Sequence, residues 1–134
     1  MRYLLDTNVI SEIRKRKPHG GALAWMESVP VDDLLLPAVV LGELQAGAER
    51  TRLQDPLKAA EIDRWIEQLA ASFQFVPMDG ACFREWARLM TGKPAEIIMD
   101  GMIAATARVH DLIVATRNEA DFKHFGVRIF NPFK

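Results

Sequence analysis

Short apolar runs and longer runs of helical spacing alternate along the chain. Residues 2–6 (RYLLD) read as a short buried strand that ends on an acid. From Asn8 to Lys17, Val9, Ile10 and Ile13 recur at helical spacing, and Thr7 or Asn8 is placed to cap that helix. Lys17-Pro18-His19-Gly20-Gly21 predicts a loop, and a short helix over residues 22–28 carries Leu23 and Met26. Residues 33–36 (DLLL) read as a second strand. Pro37 opens a helix through Arg50, since proline is tolerated in a first helical turn.

The stripe Ile62, Trp65, Ile66, Leu69 and Phe73 predicts an amphipathic helix from Pro56 to Ser72. That stripe reads as core, with a dimer contact as the sharper option. FQFVP (73–77) is a third strand. Asp79 caps the helix that carries Phe83, Trp86, Leu89 and Met90. After the loop TGKPAE, residues 97–109 form an Ala-rich helix with little polar surface. LIVAT (112–116) is a fourth strand, Asn118 can cap a short helix through Phe125, and VRIF (127–130) is the last strand. Strands alternating with helices favour a parallel sheet covered on both faces.

Length and composition narrow the class without naming a chemistry. The 134 residues fit one domain spanning 1–134, with 49% hydrophobic and 26% charged positions, ordinary for a globular protein. The balance of 17 basic against 18 acidic residues gives no global signal for nucleic acid, so any such claim rests on local sites. The single cysteine, Cys82, excludes an internal disulfide and suits the cytoplasm. Asp6 cuts the first apolar run short, so no signal peptide is expected, and no run approaches the ~18 residues of a membrane span.

Four acids stand where acids are expensive. Asp6 closes the first strand, and Asp121 lies in the segment that begins where the fourth strand ends. Glu43 follows Val39 and Val40 by one turn, and Asp100 precedes Ile103 and Ala104 by one turn, so both share a face with apolar residues. In open parallel sheets ligands bind beyond the carboxyl ends of the strands, where strand order reverses. If the first and fourth strands are neighbours, the acids meet in one crevice. A buried lone carboxylate is costly, and a bound cation offsets that cost. Convergence of four acids therefore suggests a hard-cation site of the Mg²⁺ or Mn²⁺ kind.

Each acid also has a plain structural reading. Asp6 could cap the first helix, Asp121 could complete a capping box with Asn118, and Asp100 could cap a helix that starts late. Gly42, Gly47 and Gly101 flank the two helical acids, for close approach to a ligand or for tight helix packing. His110 reads as a C-terminal cap and Cys82 as core. Nucleotide-binding glycine loops and zinc spacings are absent. Arg14-Lys15-Arg16-Lys17 is the densest basic run. It is a candidate for neutralising the phosphates of a bound ligand, with Arg117 as a second candidate, or else a solvated helix end.

LLDTNVISE (4–12), VVLGELQAG (39–47), MDGMIAATA (99–107), ATRNEADF (115–122) and NPF (131–133) together resemble the PIN domain, and more narrowly the VapC-type toxins of bacterial toxin–antitoxin pairs. The resemblance covers essentially the whole chain, in order. It implies a three-layer α/β/α fold with a five-stranded parallel sheet, and RNA hydrolysis with Mg²⁺ or Mn²⁺. Asp6, Glu43, Asp100 and Asp121 match the family's four acids. Asp6 is expected as the central ligand, Asp100 and Asp121 as ligands directly or through water, and Glu43 as a ligand or the group orienting the attacking water. Thr7 and Asn8 match the polar pair after the first acid, and Thr116 and Asn118 match polar residues that support the last one. A homodimer and a cognate antitoxin covering the acidic site are also implied.

Two positions depart from the pattern. Pro37-Ala38-Val39-Val40 precedes Glu43 where Ser and Thr are common, and Gly101 replaces a larger residue. Other functions remain to be separated. An aspartyl phosphatase would need an acid two positions after Asp6, where Asn8 stands. A housekeeping RNA-processing nuclease shares the same acids, and a non-catalytic binding module would lack metal-dependent cleavage.

Overall fold

The computed structural model describes residues 1–134. Its strands are β1 (Tyr3–Leu5), β2 (Leu34–Pro37), β3 (Gln74–Val76), β4 (Ile113–Ala115) and β5 (Ile129–Phe130). The helices are α1 (Thr7–Glu12), α2 (Gly20–Ser28), α3 (Ala38–Arg52), α4 (Pro56–Ser72), α5 (Gly80–Met90), α6 (Ile98–His110) and α7 (Glu119–Lys123), with short 3₁₀ turns at Val31–Asp33 and Ala95–Ile97. The five strands form one sheet in the order β3-β2-β1-β4-β5, and every neighbouring pair is parallel. This is the expected parallel α/β/α arrangement.

Burial explains why these short runs become strands. Leu4, Leu5, Leu34, Leu35, Leu36, Val114 and Ala115 are all buried. They are consecutive, not alternating, as a parallel sheet covered on both faces requires. Val40, Ile103, Ala104, Ala107 and Phe122 pack into the same core. A smaller cluster of Ala48, Ile62 and Ile66 joins α3 to α4, so the amphipathic stripe of α4 is core, with Trp65 half-buried beside it. No helix is long and apolar enough to cross a membrane.

The chain crosses from β1 to β2 to β3 in one direction, then returns to place β4 on the other side of β1. The reversal point therefore lies between β1 and β4. Leu5 stands opposite Ala115, so the next residues, Asp6 and Thr116, emerge side by side from the carboxyl ends of the two strands. The Asp6 backbone N–H still donates to the Ala115 carbonyl at 3.0 Å.

Several boundaries differ from the sequence expectation. The first helix ends at Glu12 instead of Lys17. The N–H groups of Arg14 and Lys15 reach back only three residues, to the Ser11 and Glu12 carbonyls. Four successive like charges repel along a helix, and Pro18 disfavours the helical region for Lys17. The second helix begins at Gly20 because the His19 side chain accepts from the Ala22 N–H at 3.1 Å and caps it. Pro37 pairs with Val76 as the last residue of β2, and α3 starts one residue later. The last strand is only Ile129–Phe130. His110 closes α6, but the chain turns at Asp111, whose φ of 54° is left-handed.

Candidate active site

Asp6 is held by three donors that the sequence supplies locally and across the sheet. Its Oδ1 accepts from the Thr7 N–H at 2.7 Å, the capping bond of α1. Its Oδ2 accepts from Thr116 Oγ1 at 2.8 Å and Asn8 Nδ2 at 3.1 Å. Capping and site roles thus coexist, because a carboxylate offers two oxygens with two lone pairs each. Asp6 is 5% exposed. Burial raises its carboxyl above the usual value, those three hydrogen bonds oppose the rise, and the Asp121 charge adds to it.

Glu43 projects from the second turn of α3. Thr7 Oγ1 donates to its Oε1 at 3.0 Å, so α1 supplies the polar contact that Pro37-Ala38-Val39-Val40 lacks. Its carboxyl is also raised, first by burial and then by the Asp6 charge. Asp100 lies in the first turn of α6, after Ile97 and Ile98. Burial, then the charges of Asp6, Asp121 and Glu43, push its carboxyl up to about 7, and Asp121 shares a hydrogen bond with it. Asp121 lies in α7. Its Oδ2 accepts from Asn118 Nδ2 at 2.7 Å.

The fold therefore brings the four sequence-predicted acids into one electrostatic neighbourhood. None of them takes part in any of the chain's eight ion pairs. Carboxylate oxygen is the donor type that suits a hard divalent cation, and four such groups without a basic partner fit one by charge and chemistry. No group of three or more His, Cys, Asp or Glu side chains stands in closed ligating geometry. The acids surround a common region instead of forming a finished cage. Glu43 Oε2 is free of the Thr7 bond, and Asp121 Oδ1 is free of the Asn118 bond.

Asn118 bonds Asp121, as expected of a residue supporting the last acid, while its capping role and the partner of Thr116 differ from expectation. Thr116 bonds the first acid, Asp6, directly, because β4 lies beside β1, and reaches the last one only through the Asn118 N–H. Asn118 makes no side-chain cap on α7. Its Nδ2 goes to Asp121, and its backbone N–H goes to Thr116 Oγ1 at 2.9 Å, so no capping box forms. Asn8 bridges the two strand ends, accepting from the Arg117 N–H at 3.2 Å. The flanking glycines also separate. A Cβ on Gly101 would meet Met90 Sδ at 2.6 Å, so its role is tight packing of α6 on α5, whereas Gly42 faces open space.

The basic candidates are dispersed. Arg14 lies over the Trp65 ring at 5.1 Å, Lys15 pairs with Glu12 at 3.0 Å, and Arg16 and Lys17 are exposed. Arg117 lies 3.8 Å over the Phe133 ring and 3.6 Å from Glu12. Sequence reasoning missed Glu12. Its only signal was Lys15 three residues on, which reads as a solvated surface pair. Cys82 is buried, as expected.

Known proteins of one family match most of the chain. The family model for the PIN domain matches residues 3–127. The chain is 34% identical to VapC ribonuclease Y4jK of Sinorhizobium fredii, over 98% of its own length and 97% of that protein's. It is 35% identical to Toxin FitB of Neisseria gonorrhoeae, over 97% of each. The solved structure of FitAcB from Neisseria gonorrhoeae matches with a TM-score of 0.83 and 34% identity, over 98% of each chain.

Proposed function

Because the chain belongs to the PIN-domain family, with relatives of the VapC and FitB toxin type, we propose that it is the ribonuclease toxin of a toxin–antitoxin pair, hydrolysing RNA phosphodiester bonds with Mg²⁺ or Mn²⁺ held by Asp6, Glu43, Asp100 and Asp121. The observation that carries this reading is the set of four uncompensated carboxylates at the β1/β4 reversal, with Asp100 pushed up to about 7 by burial and then by the other three. The ribonuclease and toxin names of relatives at 34% and 35% identity support the substrate class and the biological role. A cognate antitoxin, a homodimer and action in the cytoplasm belong to the same proposal.

A divalent cation, when bound, lowers the pKa of its water and neutralises charge on the phosphate. The chain's own residues do the positioning. Thr116, Asn8 and the Thr7 N–H fix the Asp6 carboxylate, so it enters the reaction already oriented. Thr7 turns Glu43 so that Oε2 can orient the attacking water. Asn118 orients Asp121 in the same manner. Arg16, Lys17 and Arg117 are candidates for the flanking phosphates.

The test is cleavage of a structured RNA by the purified chain with Mg²⁺, with Mn²⁺ and with a chelator, beside folded Asp6→Asn. Activity in the wild type that needs metal and falls in Asp6→Asn by more than the roughly 10–100-fold of an outer-shell loss supports the reading. Full activity in folded Asp6→Asn sinks it. The exposed control Glu67→Gln should cleave like the wild type.

A further inference from the structure

Only two carboxylates in the chain are buried, Asp6 and Glu12. Glu12 closes α1, is 4% exposed, and lies outside the four-acid set. Its Oε2 accepts from the His19 N–H at 2.9 Å. Its Oε1 makes no well-directed hydrogen bond and instead faces two cations, Lys15 Nζ at 3.0 Å and Arg117 Nη2 at 3.6 Å. The Lys15 and His19 contacts hold its carboxyl below the ordinary value, so it stays charged at neutral pH.

Arg117 is gripped from a second side. Its guanidinium lies 3.8 Å from the centre of the Phe133 ring, and His19 meets that ring edge-on at 5.3 Å. The end of α1 and the segment of Phe133 thus close on one guanidinium, with His19 packed against the far side of that ring. The backbone of Arg117 is simultaneously tied to the acid site, because its N–H donates to Asn8, which donates to Asp6. Half of the Arg117 side chain and half of the Lys15 side chain stay exposed. One carboxylate facing two cations leaves a surplus positive charge on a residue whose backbone is tied to the acid site.

We propose that Glu12 is a positioning residue, which with Phe133 holds the Arg117 guanidinium as the receptor for an RNA phosphate neighbouring the one at the four acids. This rests on the ribonuclease reading above. Its physical logic is that four carboxylates repel a polyanion, so binding needs fixed cations nearby, and a guanidinium ordered beforehand loses less entropy on binding. Glu12 itself touches no RNA. A purely electrostatic role for Glu12 predicts the opposite sign, since removing its negative charge would then tighten RNA binding.

The experiment uses the full chain and a labelled single-stranded RNA, with affinity read against salt in chelator and KM and kcat read with Mg²⁺. Arg117→Ala is expected to weaken binding roughly tenfold, lower the salt slope by about 0.7, and raise KM while kcat stays within about twofold. Glu12→Gln and Phe133→Leu are each expected to raise KM by roughly threefold in the native background and to change nothing further once Arg117 is Ala. The second variant keeps the test decisive if Glu12→Gln folds poorly. Equal or tighter binding by folded Glu12→Gln, an unchanged slope in Arg117→Ala, or losses that multiply in the double variants would overturn the proposal. Absence of metal-dependent cleavage in the wild type would count against the ribonuclease reading alone, because the affinity and salt data still decide whether Arg117 receives phosphate.

Discussion

Thr116 Oγ1 donates to Asp6 Oδ2 at 2.8 Å, a buried bond between residues 110 positions apart that joins the carboxyl ends of β4 and β1. The same hydroxyl oxygen accepts from the Asn118 N–H, so one side chain fixes both the first acid and the loop leading to the last.

Thr116→Val keeps the shape and removes this donor. Loss of a hydrogen bond to a buried charge should cost about 1.5–3 kcal/mol of stability, and the misoriented acid should lower cleavage by roughly 10–100-fold. Denaturant unfolding and single-turnover cleavage check the two effects separately. A variant with wild-type activity would show that Asn8 and the Thr7 N–H suffice to orient Asp6.

Divalent metal should raise the melting temperature, because it relieves repulsion among the four acids. Binding to the folded state alone stabilises by RT ln(1 + [L]/Kd), about 2.7 kcal/mol at a hundred times Kd. Melting curves with Mg²⁺ or Mn²⁺ should shift for the wild type and much less for Asp6→Asn. Equal shifts in both proteins would place the metal elsewhere.

In chelator, stability should depend on pH through Asp100. Its folded carboxyl holds a proton up to about 7, against 3.8 for the ordinary group. Between those values the folded state binds more protons than the unfolded state, so this contribution is present at low pH and is lost as pH rises towards 7. Asp100→Asn cannot titrate and should gain on the wild type across that window. The difference between their unfolding free energies from pH 4 to 8 is the measurement, and a difference that does not grow with pH refutes the assignment.

Gly101→Ala should destabilise the fold by about 1 kcal/mol. Helix propensity favours alanine by up to about 1 kcal/mol, but the new Cβ would meet Met90 Sδ at 2.6 Å and Cγ at 3.3 Å. Overpacking of that kind costs about 1–3 kcal/mol. Adding Met90→Ala should remove the overpacking part of the penalty, which a double-mutant cycle measures.

The sequence by itself determined the element types and the four acids. Leu34, Leu35 and Leu36 in succession admit little but a strand buried on both faces, and Pro56 to Ser72 carries its helical stripe intact between Asp55 and Phe73. Asp6, Glu43 and Asp100 stood out because charge on an apolar run is costly wherever that run packs. These are local properties, fixed by neighbours a few residues away. Tertiary structure alone decided which acid each of the two threonine hydroxyls serves. Thr116 serves Asp6 because β4 docks against β1, and Thr7 serves Glu43 because α1 faces α3. It also brought Arg117 to Glu12, which with the nearby contacts from His19 and Lys15 turns an ordinary helix-end acid into a buried hub. A pairing across 105 residues leaves no periodic trace in the chain, because its energy arises only when the sheet order brings the two segments together.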